Sequence, residues 1–185
     1  MIKLITGIFI FIFYLPTMAA EVMIENTEGV VLYSSHENQA EIETDQTAGW
    51  KAKTQDVIIN ALSLSGIKYK FGGHSPETGF DCSGFVRYVF SQATNLTLPP
   101  TARAIAQIGK AVKKEDLQPG DLVFFNTLKT AFSHVGIYIG DNKFIHAPRS
   151  GKVVRVESLK EKYWDSRFNG GQRLENEVEI SAVVN

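Results

Sequence analysis

The stretch DLVFFNTLKTAFSHVGIYIGDNKFIHA, residues 121–147, reads as three short strands in succession. Leu122 to Phe125, Val135 to Ile139 and Lys143 to Ala147 are rich in β-branched and aromatic residues, and Gly140-Asp141-Asn142 between the last two is a tight-turn signal. Beyond Arg149-Ser150-Gly151, Val153 to Val156 makes a fourth run of the same kind. Upstream the period is that of helices. Val57, Ile58, Ala61 and Leu62 recur at helical spacing behind Thr54, a residue able to cap, and Gly66 stands where a helix commonly stops. A second helix is expected from Asp81 or Cys82, since Phe85, Val86, Val89 and Phe90 form one apolar face before Asn95 to Pro100 end it. A third, short helix is expected from Thr101 to about Ile108, stopping at Gly109. Helices first and an antiparallel meander second is an α+β order, with the helices packed on one face of the sheet.

The 185 residues leave room for one hydrophobic core of ordinary size. With 44% hydrophobic and 21% charged residues, a wholly disordered, collagen-like or multi-span membrane chain is excluded. A net charge of -1 offers no basic field for phosphates, so nucleic acid is not an expected partner. Residues 1–20 carry a Lys ahead of an apolar run from Leu4 to Leu15, then Pro16 and small residues, which reads as a secretory signal. The run is shorter than the roughly 20 residues a membrane span requires, so no stable span is expected after cleavage, and the product belongs in the periplasm or outside the cell. Glu21 to Trp50 holds seven acidic residues and no Lys or Arg, so residues 21–53 are expected to be a poorly ordered acidic spacer. Residues 54–173 form the folded domain, and 174–185 a tail whose alternating Val178 and Ile180 could pair at a sheet edge.

Cys82 is the sole cysteine, which rules out an intramolecular disulfide or a zinc site of several thiolates. It stands at an expected helix start, where unpaired amides and the helix dipole favour the thiolate form that a nucleophile needs. Polar Asp81 and Ser83 flank it, and Gly84 lets backbone approach; a thiol buried merely as a small hydrophobe is seldom framed in this way. A thiol nucleophile also needs a base. His134 opens one expected strand and His146 lies in the next, so pairing through the turn at 140–142 brings the two imidazoles near each other, one as base and one as its orienter. His36 and His74 lie in the spacer and in a glycine-rich loop. No pair has a short metal-ligand spacing, so neither metal nor cofactor is expected.

From Thr54 to Arg173 the chain resembles the NlpC-type cell-wall endopeptidases, a papain-like cysteine peptidase family. The resemblance is carried by YKFGG (69–73), GFDCSGFVRYVF (79–90), LQPGDLVFF (117–125), SHVGIYIG (133–140) and FIHA (144–147), in the family's order and spacing, with YWDSRF (163–168) echoing the usual end. It implies Cys82 as nucleophile, His134 as general base and acid, and His146 as the residue holding the imidazole. It also implies that Tyr69 lies beside the nucleophile and that Asp81 and Ser83 contact the stem peptide. Where relatives often read Leu-Pro-Arg-Thr-Ser, this chain has Leu98-Pro99-Pro100-Thr101-Ala102, which removes a guanidinium and a hydroxyl from the rim. The expected activity is hydrolysis of peptide bonds in peptidoglycan stem or cross-link peptides by a monomer. Amidase or acyl-transfer chemistry on muropeptides, and a non-catalytic wall-binding module, remain alternatives on the same fold.

Overall fold

The computed structural model describes residues 35–174, with side-chain surroundings from Gly49 onward. The expected signal segment, residues 21–34 and the tail from Glu175 lie outside the described residues. The first helix, α1, spans Ser35–Ser63, so the backbone is already helical over 35–53, the part read from the sequence as spacer. Thr54 therefore does not cap it. Its hydroxyl donates to the carbonyl of Trp50, one turn back, at 3.1 Å. Glu, Gln, Ala and Lys are good helix formers, and here they outweigh the excess of one charge sign. Val57 and Ala61 enter the core as expected, whereas Leu62 is left exposed.

The second helix, α2 (Cys82–Thr94), starts where the apolar face begins. Asp81 caps it, with Oδ1 accepting from the Gly84 amide at 2.8 Å, and Asn95 closes it in the left-handed conformation at φ 59°. Phe85, Val86, Val89 and Phe90 are all buried. The third helix, α3 (Ala102–Ile105), is capped by Thr101 and is shorter than expected, because Ala104 and Ile105 carbonyls accept tighter bonds from Gln107 and Ile108.

Ahead of α2 lies a small hairpin, β1 (His74–Ser75) with β2 (Gly79–Phe80). The main sheet has six strands, all paired antiparallel: β3 (Lys110–Val112), β4 (Leu122–Phe125), β5 (His134–Gly140), β6 (Lys143–His146), β7 (Arg155–Ser158) and β8 (Phe168–Arg173). Their spatial order is β3-β8-β4-β5-β6-β7, so β4 to β7 are the expected meander. The last strand returns to pair with β4 after a short helix, α4 (Lys162–Asp165). FNGGQR has no β-branched residue and gave no strand signal of its own. Its place is decided by its neighbours: a Cβ at Gly171 would come within 2.8 Å of Leu117. Arg173 then closes the strand with a two-pronged ion pair to buried Asp121, at 2.8 and 2.9 Å.

Strand alternation divides the sheet's apolar residues between two layers. Leu122, Phe124, Val135, Ile137 and Ile145 join Val57, Phe85 and Val89 in the larger cluster beneath α1 and α2. Val123, Phe125, Tyr138 and Phe144 join Leu159 and Trp164 in a smaller one. The α+β expectation holds. The helices α1 and α2 cover one face, and the segment around α4 covers the other.

Candidate active site

Two glycines set the position of Cys82. A Cβ on Gly84 would lie 2.1 Å from the carbonyl oxygen of Gly73, so the first turn of α2 rests directly on the YKFGG loop. Asp81 fastens the same junction, since Oδ2 accepts from the Gly72 amide at 2.9 Å while Oδ1 caps the helix. Ser83 donates to Asp81 and to the carbonyl of Pro100 at 3.0 Å, tying the helix start to the segment before α3. Asp81 and Ser83 thus hold the backbone around Cys82 in place. Tyr69 is half-buried; burial first, then the charges of Cys82 and Asp81, raise its phenol above the ordinary range.

Cys82 is half-buried at the edge of the larger cluster. Its thiol meets the backbone amide of Val135, the residue after His134, so α2 delivers it to the mouth of β5. The expectation of a thiolate favoured by the helix start is not met in the resting state. Burial, with the Asp81 carboxylate second, pushes the thiol up to about 11, although the amides of Val135, Ser83 and Cys82 pull the other way. Among the described residues no hydrogen bond joins the thiol to either imidazole.

The histidines are brought together by a fault in the ladder. With the two-residue turn Asp141-Asn142 (φ 52° and 57°), Gly140 pairs with Lys143. An unbroken ladder from there would set His146 opposite Ile137, on the other face from His134. A β-bulge instead leaves Ile139 without a partner, and Tyr138 pairs with Phe144 and Ile137 with Ile145. His146 falls opposite Gly136, which shares a face with His134. Nε2 of His134 and Nδ1 of His146 are 2.7 Å apart, with the ring planes at 89°. Gly136 makes room: a Cβ there would stand 3.2 Å from that of His146 and 2.8 Å from the Phe144 ring.

Both rings are buried, at 3% and 0% exposure. Trp164 stacks on His134 at 5.7 Å and meets His146 edge-on at 4.9 Å, while Phe125 and Phe144 complete the box. Burial, with His146 second, lowers His134 to about 3 against an upward pull from Glu157. Burial likewise lowers His146. At neutral pH the resting site therefore holds a thiol and two uncharged imidazoles.

Two charged residues on β7 were not picked out from the sequence. Oε2 of Glu157 lies 3.2 Å from Nε2 of His146, and its other oxygen pairs with Arg155. The β6–β7 register sets Arg155 opposite His146 and Glu157 opposite Phe144, so these four residues share a face. Burial drives the Glu157 carboxyl up, but the closeness of His146 and the charges of His146 and Arg155 outweigh it and leave it lowered, hence ionised. Within RVES the acid sits among ordinary polar residues, and only the register of a third strand identifies its partner. Among the described residues no cluster of His, Cys, Asp or Glu is arranged to hold a metal ion.

The model of the NlpC/P60 family matches residues 66–173. The gamma-DL-glutamyl hydrolase of Bacillus subtilis (strain 168) is 46% identical over 121 residues, which cover 65% of this chain and 29% of that protein. The murein DD-endopeptidase MepH of Escherichia coli (strain K12) is 40% identical over 131 residues, covering 67% of this chain and 48% of that one. The chain thus spans half or less of the length of these two relatives. Among solved structures, an NlpC/P60 family protein from Bacillus cereus ATCC 10987 is 34% identical with a TM-score of 0.62, over 66% of this chain and 40% of that one. The NlpC/p60 domain of the peptidoglycan hydrolase SagA is 30% identical with a TM-score of 0.58, over 65% of this chain and 98% of that one.

Proposed function

The chain belongs to the NlpC/P60 family, whose members among its relatives include murein endopeptidases, and we propose that it is an exported cysteine endopeptidase acting on peptidoglycan stem or cross-link peptides. Cys82 is the nucleophile, His134 the general base and acid, and His146 the residue that orients His134. The observation that carries this reading is the buried pair of imidazoles 2.7 Å apart on β5 and β6, with the Cys82 thiol at the next backbone amide along β5.

His134 takes the thiol proton as Cys82 attacks the scissile carbonyl, which suits a resting pair that carries no charge. Amides at the start of α2, including that of Cys82, meet the developing oxyanion, because the first amides of a helix have no partner within it. His134 then returns the proton to the leaving amine, and water releases the acyl-enzyme by the reverse sequence. Tyr69 borders the nucleophile and the incoming peptide. Asp81 and Ser83, whose polar atoms already serve the helix start, act on the substrate by shaping that rim.

Mass analysis of products from purified cross-linked muropeptides tests the reading. Cleavage by the wild-type chain and none by Cys82→Ser is the expected result, and equal cleavage by both sinks it. The likeness to a gamma-DL-glutamyl hydrolase favours a second bond class, the γ-linked glutamyl bond within a single stem. Product masses separate it from a cross-link cut, since the one trims a monomeric stem and the other splits a dimer.

A further inference from the structure

Resting on the assignment of His134 as general base, we propose that Glu157 is a positioning residue that selects the imidazole tautomers of the site, with His146 as the intermediary. The 2.7 Å contact between Nε2 of His134 and Nδ1 of His146 holds a single hydrogen between two uncharged rings. It can be shared in two ways. If His146 carries its proton on Nε2, its Nδ1 is bare and accepts from the Nε2 hydrogen of His134, which leaves Nδ1 of His134 bare and able to take a proton. If His146 carries its proton on Nδ1, it donates to His134, whose own proton then sits on Nδ1 and blocks it as a base.

Glu157 decides between them. Its Oε2 stands 3.2 Å from Nε2 of His146, off the line of a hydrogen bond, and neither buried atom has another hydrogen-bond partner. An N–H there sets its positive end beside a carboxylate, whereas a bare nitrogen there would set negative charge beside negative charge in a buried, weakly screening place. The second arrangement is therefore disfavoured and the first, with a free base on His134, is populated. Arg155 holds the other oxygen of the carboxylate, so Glu157 stays ionised and aimed although only 12% of its side chain is exposed. The aromatic box of Phe125, Phe144 and Trp164 keeps water from offering either ring another partner. The order is Arg155 to Glu157 to His146 to His134, three strands joined side chain to side chain from the sheet edge inward.

The tautomers are read directly from nitrogen-15 NMR of the full chain labelled in its histidines, at neutral pH and without substrate. The expected wild-type spectrum has a protonated Nε2 and a bare Nδ1 on both His134 and His146. A wild-type spectrum with the proton on Nδ1 of His146 overturns the proposal with no variant needed. Glu157→Ala is expected to mix or invert the pattern and to lower kcat on purified muropeptide dimers by roughly ten- to a hundred-fold with KM little changed, by analogy with the loss of an outer partner behind a metal-bound histidine. Glu157→Gln keeps the volume, and its amide group can donate to a bare Nε2 of His146, so it is expected to lose kcat as well although the fold is retained. Unchanged tautomers and unchanged kcat in both variants overturn the proposal. The spectra do not depend on turnover, so loss of the peptidase reading, shown by full activity in Cys82→Ser, is a separate result.

Discussion

On the side of the sheet covered by α2, the candidate site is made of neighbours in sequence: Asp81 caps, Cys82 presents the thiol, Ser83 ties and Gly84 packs, all in one turn. On the other side, His134, His146, Glu157 and Trp164 come from β5, β6, β7 and α4, and none contacts another until the register is set. The first arrangement is local, and its parts keep their geometry through hydrogen bonds within a few residues. The second depends on a bulge at Ile139, a turn with two positive φ angles and a Gly136 that leaves space. A site assembled from both kinds keeps its thiol where a helix start holds it and its imidazoles where packing holds them.

Removing the local half has the largest expected effect on turnover. Cys82→Ser should bring muropeptide cleavage to background in product analysis, while the melting temperature stays within a few degrees, because the side chain is only half-buried and the swap is nearly isosteric. A large fall in melting temperature would show instead that the thiol is a packing element.

The assembled half is expected to fail by losing stability. Trp164 touches both imidazoles, Phe125 and Phe144, and is 5% exposed. Truncating it to Ala should cost about 3–5 kcal/mol in denaturant unfolding and lower turnover as well. A loss below about 1 kcal/mol would mean that the smaller cluster does not support the histidines.

Acid provides a graded version of the same contrast. Below about pH 6.5 an unfolded histidine binds a proton that buried His134, with its value near 3, and buried His146 refuse. Stability should therefore fall as pH drops from about 6.5 toward 3, by up to about 1.4 kcal/mol per pH unit on account of His134, with His146 acting in the same sense. Glu157, lowered in the fold, acts in the same sense, since its contribution is present above its unfolded value and is lost as pH falls through the folded one. His134→Gln should flatten the slope in urea titrations at stepped pH. An unchanged slope would move the acid sensitivity elsewhere.

The smallest expected effect concerns the resting thiol. With Cys82 pushed up to about 11, alkylation by iodoacetamide in the absence of substrate should rise roughly tenfold per pH unit from neutral into alkaline buffer, with no plateau on the acid side. A rate that stays high below pH 6 would mean that thiolate and imidazolium are already formed, and that the two halves are coupled before substrate arrives.

Much of this division was legible in the chain. The period change after Pro119-Gly120-Asp121, the Asp81-Cys82 helix start and the placing of His134 and His146 on successive strands could be read because each is a local pattern of residue types, whereas the shared face of the two imidazoles depends on the bulge. The helical backbone from Ser35, the strand made by Phe168–Arg173, the bulge at Ile139, the Glu157 contact and the raised thiol could not be read in this way. For α1 the sequence offered good helix formers and a run of like charge, two signals of opposite sense. FNGGQR became a strand because β3 and β4 offered unpaired edges on both sides of it. The bulge turned one face of β6 into the other, a choice worth nothing until a packed layer rewards it. Burial, finally, belongs to no residue alone: the same Cys82 that a helix start would ionise is kept protonated by the core around it, because removing water costs a charged thiol more than the helix amides return.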